Sequence, residues 1–143
     1  YDLLIFGEGE QKPKLKKIIK QYKIEDKVFL MGYTKSLNFA MTKAKAFILS
    51  SLWEEPGFVL IEAASNNLFI ISSDCKNGPR EFLLNGKAGL LFKNNKSGEL
   101  LIKLKEFIKL DQNQKKNKIL VAKKNIKNYT IFGHYLNIKK ILN

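Results

Sequence analysis

Residues 47–64 read FILSSLWEEPGFVLIEAA. The first three residues, Phe47–Leu49, form an apolar run that ends at two serines, which is typical of a buried strand followed by a loop. A second apolar run opens at Pro56-Gly57 and predicts a helix from about Gly57 to Ser65. The segment therefore predicts a strand, a loop and a helix in succession.

The same alternation continues on both sides of this segment. Short apolar runs predict further strands at Asp2–Phe6, Val28–Met31, Leu68–Ile71 and Gly89–Phe92. Helical patterns lie between the strands, at Leu15–Tyr22, at Lys35–Ala44 and after Pro79. Repeated units of this kind predict an α/β fold, a Rossmann-like parallel sheet with flanking helices.

From Ser97 onward the pattern predicts helices alone. An apolar stripe from Leu100 to Ile108 makes one helix, and the lysine-rich stretch to Lys127 makes another. The tail beyond it is also rich in apolar residues, which indicates that it packs against this domain or a neighbour. We therefore expect a single domain over residues 1–143, with residues 97–143 as its helical extension.

The formal net charge of +13 first suggests a nucleic-acid or anionic-membrane partner. Residues 101–143 hold eleven lysines and two acids, whereas residues 46–74 hold four acids and no basic residue. Of the 26 basic residues only Arg80 is arginine, whose planar fork makes the bidentate contacts on which nucleic-acid readers depend. We therefore favour a solvated lysine-rich surface, and a basic nucleic-acid-binding module remains as an alternative of another class.

The sequence also bears on compartment and completeness. Cys75 is the single cysteine, so no internal disulfide can form, and no cluster of cysteine or histidine predicts a metal site. No apolar run reaches the roughly 20 residues of a membrane-spanning helix, and no signal peptide precedes the first strand. We expect a soluble domain in a reducing, cytoplasmic setting. Because the chain begins at Tyr1 without an initiator methionine, we also expect polypeptide upstream of it.

A binding site is expected where the strands end, because ligands of open parallel sheets bind at the carboxyl ends of the strands. The helix that opens at Gly57 offers free amides and a positive dipole to an anion such as a diphosphate. Glu62 lies about a turn and a half further on, within reach of a polyol. A carboxylate can accept hydrogen bonds from two neighbouring hydroxyls of such a ligand. Because apolar residues surround Glu62, we expect it to be buried with a partner. Alternatively, Glu54 and Glu55 only complement the helix dipole and Glu62 is a surface residue.

Five sequence blocks, in one order, resemble a known family. Glu54 and Glu62, separated by seven residues, form the central block. The other four blocks are Leu4–Gly9, Val28–Gly32, Asp74–Glu81 and Asn85–Phe92. Together they resemble the C-terminal, donor-binding domain of the retaining GT-B glycosyltransferases of the group 1 (family four) type, over nearly the whole chain.

The resemblance implies a role for each matching residue. Glu62 would hydrogen-bond the ribose of a nucleoside-diphosphate sugar, and Glu54 would be the catalytic residue beside the donor sugar. The backbone amides of Gly57, Phe58 and Val59 would hold the diphosphate. The remaining donor-binding residues would be Gly7, Gly78 and Glu81. Helix capping explains Gly78 and Glu81 equally well, and no cofactor or metal is expected.

The resemblance also implies parts that this sequence lacks. In the family a strand and a helix precede the segment equivalent to Asp2–Phe6 and bring an Arg and a Lys to the diphosphate, and an N-terminal domain binds the acceptor. We therefore expect a crop or a piece that needs this acceptor domain in cis or trans and transfers no hexosyl group alone. The strand order in the family is 3-2-1-4-5-6, and the strand that this sequence lacks is strand 1, the central one. Its two neighbours, Asp2–Phe6 and Phe47–Leu49, would each have an unpaired edge.

Two further possibilities stay open. The chain could be an inactive nucleotide-sugar-binding remnant, or a subunit that combines with a separate acceptor domain. Enzymes that resemble it often act on lipid-linked or polysaccharide acceptors, and the net charge of +9 in residues 101–143, eleven lysines less two acids, could hold it at the inner face of an anionic membrane.

Overall fold

The computed structural model describes residues 1–55 and 57–142. They form two compact units, residues 1–37 and the described residues from Asn38 onward.

The first unit is a strand, a helix and a strand. Its elements are β1 (Leu3–Phe6), α1 (Lys12–Gln21) and β2 (Val28–Gly32). β1 and β2 pair in parallel, with Leu3 opposite Val28. Pro13 lies in the first turn of α1. Amides in the first turn have no acceptor within the helix, so a proline, which has no amide hydrogen, loses no hydrogen bond there. On the predicted apolar face Ile19 is buried and Leu15 is half-buried, whereas Ile18 and Tyr22 are exposed.

The second unit begins with three parallel strands and the helices that connect them. Its elements are α2 (Leu37–Lys43), β3 (Ala46–Leu49), α3 (Phe58–Ser65), β4 (Phe69–Ser73), α4 (Pro79–Phe82) and β5 (Leu90–Phe92). The order of strands in the sheet is β3-β4-β5. The central strand β4 contacts the helix α3 and is buried at all five positions.

The chain ends in helices alone, as predicted. They are α5 (Ser97–Lys109), α6 (Gln112–Asn125), a 3-10 helix (Ile126–Tyr129) and α7 (Ile131–Leu142). Phe107 of α5 packs on Phe69 of β4 with ring centroids 4.9 Å apart, which anchors the first of these helices to the core. Asp111 and Gln114 form a capping box that starts α6.

The fold is therefore the Rossmann-like α/β arrangement that the sequence predicts. Each predicted strand is present, with its ends moved by at most two residues. Among the described strands, β1 has β2 as its one partner and β3 has β4, in agreement with the expected order of neighbours. Only part of the apolar tail packs within this chain: Tyr129 lies against Phe82 with ring centroids 5.2 Å apart, whereas the large apolar side chains of α7 are exposed.

Candidate functional site

The candidate site lies where β3, β4 and β5 end in the second unit. Because the three strands are parallel, the loops that follow them leave from the same edge of the sheet. The loop after β3, residues 50–55, carries Glu54. The segment after β4 leads through Asp74 to α4, and Asn94 follows β5.

The loop after β3 is tied to the ends of both other strands. The Ser73 hydroxyl donates to the carbonyl of Ser51 at 2.6 Å. The Asn94 side-chain amide donates to the carbonyl of Leu52 at 2.7 Å. The next residue, Trp53, forms an isolated parallel bridge with Lys76. Consecutive residues of this loop are therefore held by different neighbours, which fixes the backbone that leads into Glu54.

The start of α3 is built around Gly57. This residue has φ +73°, in the left-handed region that favours glycine. A β-carbon added to Gly57 would stand 3.7 Å from a carboxylate oxygen of Glu54, so this carboxylate lies beside the start of the helix. The Leu60 amide donates to the Gly57 carbonyl at 2.9 Å. The amides of Gly57, Phe58 and Val59 come before that bond, and such amides have no partner inside the helix. They are suited to an anion.

Glu62 is exposed, so the prediction that it is buried is wrong. The buried face of α3 carries Leu60, Ala63 and Ala64, and it contacts β4, α6 and the 3-10 helix. Phe58, Glu62 and Ser65 follow the spacing of the opposite face and are all exposed. The residues around Glu62 are apolar in sequence, but only one face of the helix is buried. The face that carries Glu62 begins at the same turn as the free amides.

Gly78 and Glu81 belong to the short helix α4. Gly78 has φ +118° and precedes the helix, and its carbonyl accepts from the Phe82 amide at 2.8 Å. Glu81 is exposed in the first turn. Beside it, the Arg80 guanidinium donates through Nε to Asp74 at 2.8 Å, and this hydrogen bond, with the attraction of the two charges, raises the pKa of Arg80. The ion pair closes the loop between β4 and α4.

Gly7 lies in the first unit, after β1. It has φ +126°, and nothing within 4 Å would meet a side chain added to it. Its amide donates to the Gly32 carbonyl at 2.8 Å, so this amide is already used within the unit. Gly7 is therefore placed at the end of a strand, as predicted.

Metal and membrane features can be stated for residues 1–55 and 57–142. No group of three or more His, Cys, Asp or Glu side chains in these ranges could hold a metal ion. Within the same part of the chain, every helix is too short or too polar to cross a membrane. Cys75 is buried and free of disulfide bonds, as expected from its being the single cysteine.

The sequence did not single out the side chains that tie the loops together. Ser73 and Asn94 each lie two residues after the last apolar residue of a run, and a polar residue near the end of a predicted parallel strand is the signal that could have found them. The side-chain oxygen of Asn94, Oδ1, is buried and has no hydrogen-bond partner among the described residues. Asn94 thus bears the cost of an unpaired acceptor while holding Leu52.

Comparisons with known proteins show the family and agree with the fold. The family model described as glycosyl transferases group 1 matches residues 1–129. The poly(ribitol-phosphate) alpha-N-acetylglucosaminyltransferase of Staphylococcus aureus is 31% identical over 107 residues, which cover 75% of this chain and 22% of that protein. The N-acetylgalactosamine-N,N'-diacetylbacillosaminyl-diphospho-undecaprenol 4-alpha-N-acetylgalactosaminyltransferase of Campylobacter jejuni is 32% identical over 118 residues, which cover 81% of this chain and 32% of that protein.

A solved structure is similar to nearly the whole chain. A mutant of TarM from S. aureus, in complex with Fondaparinux, alpha-GlcNAc-glycerol and UDP, superposes with a TM-score of 0.83 at 28% identity. The match covers 95% of this chain and 28% of TarM. The chain spans about a tenth to a third of the length of the curated relatives it matches. Since the family model covers most of its residues, the chain belongs to the group 1 glycosyl transferases.

Proposed function

We propose that this chain supplies the donor-binding part of a retaining glycosyltransferase and that its donor is a nucleoside-diphosphate sugar. The observation that carries the proposal is the start of α3, where the amides that precede the first helical hydrogen bond lie beside the carboxylate of Glu54. Exposed Glu62 follows on the open face of the same helix. An anion site beside two accessible carboxylates suits a ligand that has both phosphates and hydroxyls.

Each group has a distinct task in this proposal. The amides of Gly57, Phe58 and Val59 bind the diphosphate, and Glu62 accepts hydrogen bonds from the ribose diol. A carboxylate with this task has to be accessible before the donor binds, which is consistent with the exposure of Glu62. Gly78, Glu81 and Gly7 are proposed as further donor-binding residues.

Glu54 is proposed to act on the donor sugar. Positive charge develops at the anomeric carbon as its bond to the diphosphate breaks, and a carboxylate held beside it stabilises that charge. The ties to Ser51 and Leu52 keep the Glu54 backbone in position before the donor arrives. No metal is included in the proposal, because helix amides meet part of the diphosphate charge; the expected result is that EDTA leaves donor binding unchanged.

The acceptor is proposed to be a saccharide or a lipid-linked saccharide, bound with the help of an acceptor domain in cis or trans. The names of the S. aureus and C. jejuni relatives support this class, since one specifies a poly(ribitol-phosphate) and the other a diphospho-undecaprenol-linked sugar. Both are anionic acceptors, which suits a chain with a net charge of +13.

Calorimetric titration of the full-length gene product with UDP and with UDP-sugars tests the donor proposal. Replacing Glu62 with alanine removes hydrogen bonds to a charged group and should raise the Kd of UDP roughly 10- to 100-fold. Glu25→Ala is the matched control, because it removes the same charge from an exposed position in the first unit. Equal affinity of the Glu62→Ala variant and the wild type would contradict the proposed role.

The same proteins distinguish the nucleic-acid alternative. Absence of binding to any nucleoside diphosphate, together with tight, salt-dependent binding of RNA or DNA that Glu62→Ala leaves unchanged, would replace the donor proposal.

A second proposal concerns peripheral contact with an anionic membrane. Residues 112–142 contain eight lysines and no Asp or Glu. The helix α7 within this range exposes large apolar side chains, which are Ile131, Phe132, Tyr135, Leu136, Ile138, Ile141 and Leu142. Exposed apolar side chains beside unopposed lysines are suited to an anionic lipid surface.

Vesicle sedimentation tests this contact. The full-length gene product should sediment with phosphatidylcholine vesicles only when they contain phosphatidylglycerol, and Lys139→Gln with Lys140→Gln should weaken that binding. The paired control is Lys43→Gln with Lys45→Gln, which removes the same charge from exposed positions near β3. Sedimentation that is independent of the anionic lipid would refute the membrane proposal.

A further inference from the structure

Two polar side chains from neighbouring strand ends hold the loop that leads into Glu54. The Ser73 hydroxyl donates to the Ser51 carbonyl at 2.6 Å, and the Asn94 amide donates to the Leu52 carbonyl at 2.7 Å. Ser73 is fully buried at the end of β4, so bulk water does not compete for its hydroxyl. The two hydrogen bonds tie consecutive residues of the loop to β4 and to the segment after β5.

The carboxylate of Glu54 depends on its backbone for its position. Neither the ion pairs nor the side-chain hydrogen bonds among the described residues include Glu54. One of its oxygens lies 3.7 Å from the point where a β-carbon on Gly57 would stand. A displacement of the loop would therefore move this carboxylate relative to the start of α3, where the diphosphate is proposed to bind.

Asn94 makes its hydrogen bond at a cost in stability. The Leu52 carbonyl can only accept, so the side-chain nitrogen of Asn94 has to face it and the side-chain oxygen has to face away. That oxygen is buried without a hydrogen-bond partner among the described residues, and such a group costs more than an exposed hydrogen bond contributes. Alanine at this position would remove the unpaired acceptor together with the bond. Stability therefore does not explain Asn94, whereas a task in holding the loop does.

We propose that Ser73 and Asn94 are positioning residues for the proposed catalytic carboxylate of Glu54, and that Asn94 serves turnover although it lowers stability. Both side chains act through the backbone of the loop. A misplacement of about 1 Å in a reacting arrangement can lower a rate roughly 100-fold, so small shifts of the loop would be costly. This inference rests on the proposed glycosyltransferase function.

Turnover, nucleotide affinity and stability together test the role of Asn94. In the full-length gene product, turnover is the release of UDP when water replaces the acceptor, measured on whichever of UDP-glucose, UDP-N-acetylglucosamine and UDP-N-acetylgalactosamine the wild type hydrolyses fastest. Asn94→Ala should lower kcat roughly 10- to 100-fold. It should leave the Kd of UDP within about twofold, because UDP lacks the sugar on which Glu54 is proposed to act. The midpoint of urea unfolding should stay unchanged or rise.

Ser73→Ala tests the second tie, and Ser72→Ala is its matched control. Both serines are fully buried in β4, but the Ser72 hydroxyl donates to the Ser73 carbonyl at 3.0 Å, within the same strand. Both variants lose a buried hydroxyl and should lose stability to a similar extent. Only Ser73→Ala should lower kcat. A similar loss of kcat in Ser72→Ala would contradict the positioning role of Ser73.

Hydrogen exchange followed by mass spectrometry measures the loop directly. The amides of residues 50–55 should exchange roughly 2- to 10-fold faster in Asn94→Ala and in Ser73→Ala, the scale of one lost hydrogen bond. In Ser72→Ala they should exchange at the wild-type rate. The measurement requires no donor, so it also decides the inference for a protein whose hydrolysis is too slow to follow.

The outcomes distinguish failure of this inference from failure of the donor proposal. Normal UDP binding together with unchanged exchange of the loop in both variants would overturn the positioning role alone. A loss of UDP affinity in Asn94→Ala that equals its loss of kcat would also overturn it, because Asn94 would then serve donor binding. A lower unfolding midpoint in Asn94→Ala would show that Asn94 serves stability. A wild-type protein that binds no nucleoside diphosphate would overturn both proposals.

Discussion

β1 and β4 are both short parallel strands, but their burial is opposite. β1 has the sequence LLIF and no buried residue, whereas β4 has the less apolar sequence FIISS and is buried at every position. β4 has a strand on each side and contacts α3, α5 and α6. β1 has one strand partner. Hydrophobicity therefore predicts that a segment forms a strand, and the number of neighbours determines how much that strand buries.

The largest expected effect on stability comes from shortening one apolar side chain in each strand. Ile71 of β4 is fully buried, so Ile71→Ala should lower the free energy of unfolding by about 2–5 kcal/mol through lost burial and a residual cavity. Leu4 of β1 is 45% exposed, and Leu4→Ala should cost roughly 1 kcal/mol because less apolar area is lost. Urea unfolding of both variants measures the difference. Equal costs would show that burial in β4 has no special importance for stability.

The comparison can be sharpened at a buried polar group. Asn125 at the end of α6 is buried, donates to the Phe82 carbonyl at 2.8 Å and accepts from Asn128 at 2.8 Å. Asn125→Ala leaves that carbonyl without its partner and should cost about 1–3 kcal/mol. Asn128→Ala removes an exposed side chain, but it also removes the donor to Asn125 Oδ1, so it should cost less than Asn125→Ala, about 1 kcal/mol. Thermal unfolding of the two variants compares them, and a larger loss in Asn128→Ala would be unexpected.

The smallest expected effect concerns pH. Lys118 donates to the carbonyls of Gly86 and Gly89 at 2.7 and 3.2 Å, and burial lowers its pKa below the ordinary 10.5. Below pH 10.5 the unfolded chain thus binds more protons at this group than the folded chain, so its contribution to stability rises as the pH approaches 10.5. Subtracting the unfolding free energy of Lys118→Met from that of the wild type should give a difference that increases from pH 8 to pH 10.

The titration of Tyr129 changes stability with pH in the opposite direction, so the subtraction is needed to isolate the effect of Lys118. Burial raises its pKa above the ordinary 10.0, so above pH 10 the unfolded chain loses this proton first and stability falls. Both proteins contain Tyr129, and its effect cancels in their difference. A difference that stays constant with pH would contradict the assigned role of Lys118.

The sequence predicted the elements well and their surroundings less well. Apolar runs and helical spacing located β3, α3 and β4 because those signals are local. The burial of Glu62 was predicted wrongly because an apolar helix sequence does not reveal which face is covered. The ties from Ser73 and Asn94 join residues 22 and 42 positions apart, and local patterns contain no information about such pairs.

The start of α3 has a consequence for mutational maps of this protein. A cradle made of main-chain amides survives most side-chain replacements, so a scan of single substitutions would record Phe58 and Val59 as tolerant positions. Gly57 would stand out instead, since every other residue is strained at its φ of +73°. Gly57 would then be the position at which such a scan detects the proposed phosphate site, whose binding groups are main-chain amides.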